Sequence, residues 1–312
     1  MKHFLAIADL TPPEFNQYLS VAKKLKAAWR KGGNQPVLKN KTLGMIFQKP
    51  SLRTRVSFDM AMLHLGGHAL YLSPNEIGLG QRESIADVSR VLSRYVDGIM
   101  ARVFAHAHVV ELAKYASVPV VNGLSDHEHP CQALADVFTI IEHQGKLKGL
   151  KVAFFGDGNN VARSLMYACA LGGAHFVCAS PRGYALDEAS VQVARQMGGE
   201  VTLTEDPTAA ARDADVLYTD VWASMGQEEQ AASRAAIFPP YQLNEALVAL
   251  SKPKSIVLHC LPAHRGAEIT DQVADGPHSV LFDQAENRMH AQKAILAILM
   301  AGQKRRPAKR KK

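Results

Sequence analysis

Short apolar runs near 42–48, 68–72, 97–103 and 118–122 read as strands. Between them, near 54–65, 83–95, 107–116 and 131–143, apolar residues recur at three- and four-residue spacing, the period of a helix with one buried face. Strands separated by helices of this length pair in parallel through crossovers. A helix over 11–31 precedes the series, with Thr11 as its N-cap, Pro12 and Pro13 in its first turn, and Leu19, Ala22, Leu25 and Ala28 on its apolar side. Gly145, Lys146, Lys148 and Gly149 then interrupt the pattern. A second alternating series follows, with strands near 151–155, 175–179, 200–204, 215–219 and 255–259 and helices near 159–171, 186–197, 207–212 and 240–250. The pattern predicts an α/β protein of two domains, residues 1–147 and 148–287, each a mostly parallel sheet flanked by helices. A last helix, Glu286 to Met300, supplies a segment 288–303 that returns to the first domain, and 304–312 is a tail.

Composition narrows the class without naming an activity. A chain of 312 residues with 47% hydrophobic content has ample material for one large or two ordinary domains. Its longest apolar runs fall well short of a membrane span, and Met1–Leu5 lacks the apolar core of a signal peptide. Cys131, Cys169, Cys178 and Cys260 show neither CxxC spacing nor a disulfide framework, which points to a reducing, cytoplasmic setting. No clustered His and Cys spacing marks a metal site, so no metal is expected. The net charge of +7 is carried by the tail: Lys304–Lys312 holds seven basic residues and no acid, leaving the remainder neutral. Such a run is a solvated end, with at most weak binding to nucleic acid or acidic surfaces.

The densest chemistry lies at the first strand-to-helix turn, Gln48-Lys49-Pro50-Ser51-Leu52-Arg53-Thr54-Arg55. Pro50 disfavours helix for Lys49, so the helix begins just after it. Ser51, Arg53, Thr54 and Arg55 then stand beside unpaired N–H groups at the positive end of the dipole. Two hydroxyls and two guanidiniums there make an anion cradle suited to phosphate. The other motifs mostly follow predicted strands, whose carboxyl ends carry ligands in open α/β sheets.

Arg102 closes the strand Gly98–Arg102, as a surface terminus or as a site residue. His129-Pro130-Cys131-Gln132 opens a helix: His129 can donate to a developing oxyanion and Gln132 can hold an amide, or the pair simply caps. Cys131 suits a buried small hydrophobe better than a nucleophile. Gly156-Asp157-Gly158-Asn159-Asn160 starts like a dinucleotide fingerprint, but Val161 replaces the third glycine and the next strand ends Cys178-Ala179-Ser180, without an acid for a ribose. Arg182 leaves a narrow case for a 2′-phosphate, whereas Asn159 and Asn160 offer amides to a polar small molecule. Asp220 pairs with an amine or acts as an N-cap. Ser224-Met225-Gly226 offers a hydroxyl and backbone groups to a carboxylate. Cys260, in His259-Cys260-Leu261-Pro262, is a functional thiol if its pKa is lowered and an inert one otherwise. Arg288, at the start of the predicted last helix, is badly sited for the dipole and points to another partner.

Taken in order, Ser51-Leu52-Arg53-Thr54-Arg55, His129-Pro130-Cys131-Gln132, Asp220-Val221-Trp222-Ala223-Ser224-Met225-Gly226, His259-Cys260-Leu261-Pro262 and Glu286-Asn287-Arg288 resemble motifs of the aspartate/ornithine carbamoyltransferase family. The third stretch resembles its ornithine branch. The likeness runs from about residue 3 to residue 301 and leaves out the basic tail. It implies that 1–147 binds carbamoyl phosphate and 148–287 binds ornithine. By that resemblance, Ser51, Arg53, Thr54 and the backbone of Leu52 hold the phosphate. Arg102, His129 and Thr54 polarise the carbonyl, and Gln132 with the nearby backbone of Pro130 and Cys131 binds the carbamoyl amine. Asn160, Asp220, Ser224 and Met225 bind the α-amino and α-carboxylate groups of ornithine, and Cys260, the Leu261 carbonyl and Arg288 line the approach of its δ-amine. The family also implies a homotrimer or a multiple of trimers, with no cofactor. Two positions depart from its pattern. Leu52 stands where Thr is usual, which preserves a backbone contact and loses a hydroxyl. Gly78 stands where a cross-subunit Gln is frequent, with Gln81 or Arg82 as substitutes.

The implied reaction is direct attack of a neutral δ-amine on the carbamoyl carbon, with Arg102 and His129 stabilising the oxyanion. Transfer to another amine, putrescine or an acylated ornithine, is the alternative acceptor chemistry. A non-catalytic regulator working through the tail and a nicotinamide enzyme are rivals of other classes. Arg53, His129, Gln132, Cys260 and Arg288 argue against the first, and the broken fingerprint against the second.

Overall fold

A computed structural model describes residues 3–223 and 228–302. The expected Ser224 and Met225, and the tail 304–312, lie outside the described residues. The elements run α1 (Pro12–Arg30), β1 (Thr42–Phe47), α2 (Leu52–His64), β2 (His68–Leu72), α3 (Pro74–Ile77), α4 (Ile85–Tyr95), β3 (Gly98–Arg102), α5 (His106–Tyr115), β4 (Val120–Leu124) and α6 (Pro130–Gln144). They continue with β5 (Lys151–Phe155), α7 (Asn160–Gly172), β6 (His175–Ala179), α8 (Glu188–Gln196), β7 (Glu200–Thr204), α9 (Pro207–Ala211) and β8 (Val216–Thr219). The last are α10 (Ala231–Ile237), α11 (Glu245–Val248), β9 (Ile256–His259), α12 (Asp271–Ala274) and α13 (Leu281–Met300). No helix among the described residues is long and apolar enough to cross a membrane.

Both sheets are parallel throughout, as the strand–helix alternation predicts. The first has the order β2-β1-β3-β4 and the second β7-β6-β5-β8-β9. Strand order therefore reverses at β1/β3 in one sheet and at β5/β8 in the other, and such switch points are where ligands collect. The turns that follow β1, β5 and β8, and Arg102 at the end of β3, stand at those two points. The register of β3 against β4 shifts between Ala101 and Arg102, where Arg102 pairs with Leu124 and not with Gly123. A bulge of this kind re-aims the side chain beside it.

By contacts the chain forms two compact units, one of the described residues up to Leu5, Ser20–Ser125 and those from Gln292 on, the other of Ala6–Leu19 and Asp126–Ala291. These limits differ from the expected division at 147/148, because α6 packs on α7. The core of the first unit includes Ile46, Ile85, Val88, Ile99, Ala101, Val109, Leu112 and Val120. That of the second includes Phe155, Val177, Leu217, Leu243, Leu247, Val257 and Ile269. The C-terminal helix packs on the first domain: a Cβ on Gly98 of β3 would lie 2.9 Å from Met300 Sδ, so glycine lets the methionine approach without shifting. Lys293 Nζ also donates to Asn34 Oδ1 at 2.8 Å.

Two expectations need correction. The helix over 240–250 is broken into a 3₁₀ turn, Pro239–Tyr241, and the short α11, because Pro239 and Pro240 favour a turn and Asn244 Oδ1 starts a new helix by accepting from Leu247 N–H. The last helix begins at Leu281 rather than Glu286, so Arg288 sits well inside it and the dipole argument for Arg288 does not apply. Short capped helices such as α3, where Ser73 and Glu76 form a capping box, are absent from the periodicity because they are too brief to show a period.

Candidate active site

In the first unit, Ser51 caps α2 in the extended conformation usual for an N-cap. Its hydroxyl donates to Thr54 Oγ1 at 3.2 Å, and Arg102 Nη1 reaches the same Oγ1 at 3.4 Å. Thr54 is buried and Ser51, Arg53 and Arg102 are half-buried, so two hydroxyls and the Arg102 guanidinium meet at the first turn of a helix. Leu52 is 75% exposed, which leaves its backbone as the group it can offer at this turn. Arg55 departs from the expected cradle: it is exposed and its guanidinium lies 4.1 Å from the centroid of the Tyr71 ring.

In the second unit, His129 stands at the N-cap of α6 with Pro130 in the first helical position, where its missing N–H costs nothing. Gln132 is buried one turn on, and its amide is held from both sides. Nε2 donates to Asp136 Oδ1 at 2.7 Å, and Oε1 accepts from Arg288 Nη1 at 2.7 Å. Asp136 also accepts from Gln284 Nε2 at 2.7 Å and from the Tyr218 hydroxyl at 3.2 Å. Burial still pushes its carboxyl up to about 7, so desolvation outweighs those hydrogen bonds. Cys131 is fully buried, and burial pushes its thiol up to about 12, which makes it the small hydrophobe expected rather than a nucleophile.

Asp220, just beyond β8, is buried. It accepts from Asn159 Nδ2 and Val221 N–H at 2.8 Å each and from the Cys260 thiol at 2.9 Å. Asn159 also caps α7 by accepting from Val161 and Ala162 N–H, so of the two asparagines it is the structural one, and Asn160 is half-buried in the first turn. Burial, then the Asp220 carboxylate, hold the Cys260 thiol well above its usual range, so Cys260 is a proton donor here and not a thiolate. Leu261 takes a left-handed φ of 57°, uncommon for a residue with a Cβ, before the cis Leu261–Pro262 bond.

His259 is fixed by two neighbours: Nδ1 accepts from Leu261 N–H at 2.9 Å, and Nε2 lies 3.0 Å from Glu268 Oε1. Asp220, His259 and Cys260 place one ligand atom each within 4.8 Å of one another, yet both His259 nitrogens are already engaged. The second glycine of the dinucleotide-like turn has a local explanation as well. Gly158 donates to the Tyr184 carbonyl at 2.7 Å, and a Cβ there would collide with the backbone of Ala185 and Leu186. The space that a pyrophosphate needs is filled by the chain itself.

Sequence reasoning missed Asp136, Tyr218, Gln284, Glu128 and Ser164. Only Asp136 and Gln284 left a signal, since each stands four residues along a helix from a named motif residue, Gln132 and Arg288.

A family model described as aspartate/ornithine carbamoyltransferase, carbamoyl-P binding domain, matches residues 2–142, and one described as the Asp/Orn binding domain of the same family matches residues 148–299. The chain is 57% identical over 307 residues to the ornithine carbamoyltransferase of Pyrococcus abyssi, covering 97% of each. It is similar to the solved ornithine carbamoyltransferase from Pyrococcus furiosus, with a TM-score of 0.93 and 56% identity over 97% of this chain and 98% of that one. A solved N-acetyl-L-ornithine transcarbamylase is more distant, with a TM-score of 0.85 and 32% identity over 96% of this chain and 100% of that one.

Proposed function

The chain belongs to the aspartate/ornithine carbamoyltransferase family, and on that premise we propose that it transfers the carbamoyl group of carbamoyl phosphate to the δ-amine of L-ornithine, giving L-citrulline and phosphate. The observation that carries this reading is the 57% identity, over almost the whole of both chains, to an ornithine carbamoyltransferase. The greater distance from the acetylornithine enzyme, at 32% identity, favours ornithine over an acylated acceptor.

Each group then has a task suited to its chemistry. Ser51, Arg53, Thr54 and the Leu52 N–H hold the phosphate at a helix N-terminus, where anions are stabilised. Arg102, Thr54 and His129 donate to the carbamoyl oxygen as charge builds on it. Gln132, with the backbone of Pro130 and Cys131, takes the carbamoyl amine. The amide of Gln132 is locked by Asp136 and Arg288, so it pays little entropy on binding. Asp220 and Asn160, with Ser224 and Met225, hold the α-amino and α-carboxylate groups. Cys260, the Leu261 carbonyl and Arg288 guide the δ-amine. That amine must lose a proton to attack, and the hydrogen-bonded Cys260–Asp220 pair stands as the group that influences it. As the amine attacks, the carbamoyl carbon–oxygen bond breaks and its electron pair leaves with phosphate.

A homotrimer or a multiple of trimers, acting in the cytoplasm, completes the proposal, with Gln81 or Arg82 serving across the subunit contact in place of Gly78. The test is a citrulline assay with carbamoyl phosphate and a panel of ornithine, N-acetylornithine and putrescine. Ornithine is expected to be the best acceptor by kcat/KM. Better use of either rival overturns the assignment.

A further inference from the structure

Glu128, immediately before His129, is fully buried. A buried acid is expensive, and a surface position would have been easy to find on so exposed a turn as Asp126–His127. One oxygen of the carboxylate is nevertheless engaged twice. Oε2 accepts from Ile7 N–H at 2.8 Å and from the Ser164 hydroxyl at 2.9 Å. Ser164, itself completely buried in the second turn of α7, uses the same oxygen to accept from the His129 N–H at 2.9 Å. One carboxylate thus fixes a serine whose oxygen fixes the backbone of the residue assigned to the oxyanion. A hydroxyl that donates to a carboxylate is a stronger acceptor at its own lone pairs, because the two hydrogen bonds polarise each other.

We propose that Glu128 is a positioning residue for carbamoyl transfer, acting through Ser164 to set the N-cap geometry and hence the imidazole of His129. This rests on the assignment of His129 under the proposed function. It goes beyond that assignment, since neither Glu128 nor Ser164 touches a reacting atom. The bonds to Ile7 and Ser164 are made by donors, so the ionised carboxylate is the form this pocket is built for. Burial opposes it and pushes the group up to about 7, with Asp9 of the N-terminal segment adding in the same direction. Tyr167 of α7 also feels the charge of Glu128, Arg163 of the same helix donates to the His127 carbonyl one residue away, and the titratable chain neighbours are His127 and His129. The positioning is therefore weakened as Glu128 takes up a proton below neutrality, and complete above it.

The test uses the full-length enzyme and three variants, with kcat and both KM values measured from pH 6 to 9. Glu128→Gln keeps an oxygen for Ile7 and Ser164 and removes the charge. It is expected to lower kcat several-fold at pH 8, to leave the ornithine KM within about twofold, and to shrink the inflection near pH 7 in kcat. Ser164→Ala is expected to lower kcat at least tenfold, and the Glu128→Gln/Ser164→Ala double variant to be no worse than Ser164→Ala alone, since both act along one route. Unchanged kcat in Ser164→Ala, additive losses in the double variant, or an inflection in Glu128→Gln as large as the parent's would each overturn the proposal, since Asp136 beside Gln132 accounts only for what Glu128 leaves. His129→Ala separates the two readings: near-normal turnover there rejects the oxyanion role itself, whereas a large loss there with intact Glu128→Gln and Ser164→Ala rejects only the positioning route. Melting curves identify any variant that fails to fold, and Glu128→Gln, with the smallest change in shape, then decides alone through its pH profile.

Discussion

Arg102 reaches Thr54 Oγ1 at 3.4 Å, a long hydrogen bond that places its guanidinium beside the first turn of α2. If it stabilises the oxyanion, Arg102→Ala should lower kcat by about 10²–10³ while the melting temperature barely moves. Steady-state citrulline formation checks this, and turnover within a few-fold of the parent rejects the role. At this scale the sequence was informative where chemistry is local. Pro50 and Ser51 announced the helix start, and Cys131 announced a buried thiol. It was uninformative where a partner lies far along the chain. Arg55 looked like part of an anion cradle until Tyr71 took its guanidinium, and Asn159 looked interchangeable with Asn160 until Asp220 claimed it. Asp136 and Gln284 are separated by 148 positions, and no pattern in either segment names the other.

At the scale of elements, the alternation of strand and helix was legible because most strands, such as β4, β8 and β9, are buried on both faces and helices such as α4 and α8 have one buried side. What remained hidden were elements too short to have a period, such as α3 and α12, the break before α11 and the true start of α13. Sheet order was not legible either, though it places the motifs at the two switch points. The turn after β5 gives a prediction at this level. In Gly158→Ala the new methyl meets the backbone of Ala185 and Leu186, which cannot rotate aside as a side chain does. The substitution should cost about 1–3 kcal/mol, read from denaturant midpoints, and should raise the ornithine KM by shifting the turn that carries Asn160. An unperturbed midpoint would mean that the loop yields more easily than its packing implies.

Across the molecule, two buried carboxyls, Glu128 and Asp136, each titrate at about 7. Their pKa values are higher folded than unfolded, so between the ordinary carboxylate range and pH 7 the folded protein binds more protons than the unfolded chain. Stability must then fall as pH rises through that window and level off above it, by on the order of 3 kcal/mol for each group. Thermal melts from pH 5 to 8 should show this descent, and Glu128→Gln should flatten it by about half. A melting temperature that rises over the same interval would contradict the burial of both groups. The charge balance yields a simpler expectation. Truncation after Gln303 removes the entire net charge of +7 and should abolish retention on a cation-exchange matrix at low salt while kcat stays unchanged.

Each compact unit is stitched from pieces distant in the chain: the first waits for residues from Gln292 onward, including Lys293 and Met300, and the second combines Ala6–Leu19 with Asp126–Ala291. During synthesis the second unit therefore has all its residues once Ala291 is added, before the first unit does. The nascent polypeptide keeps the surfaces around Gly98 and Asn34 uncovered until Lys293 and Met300 have been added, an interval in which exposed apolar surface is open to clumping.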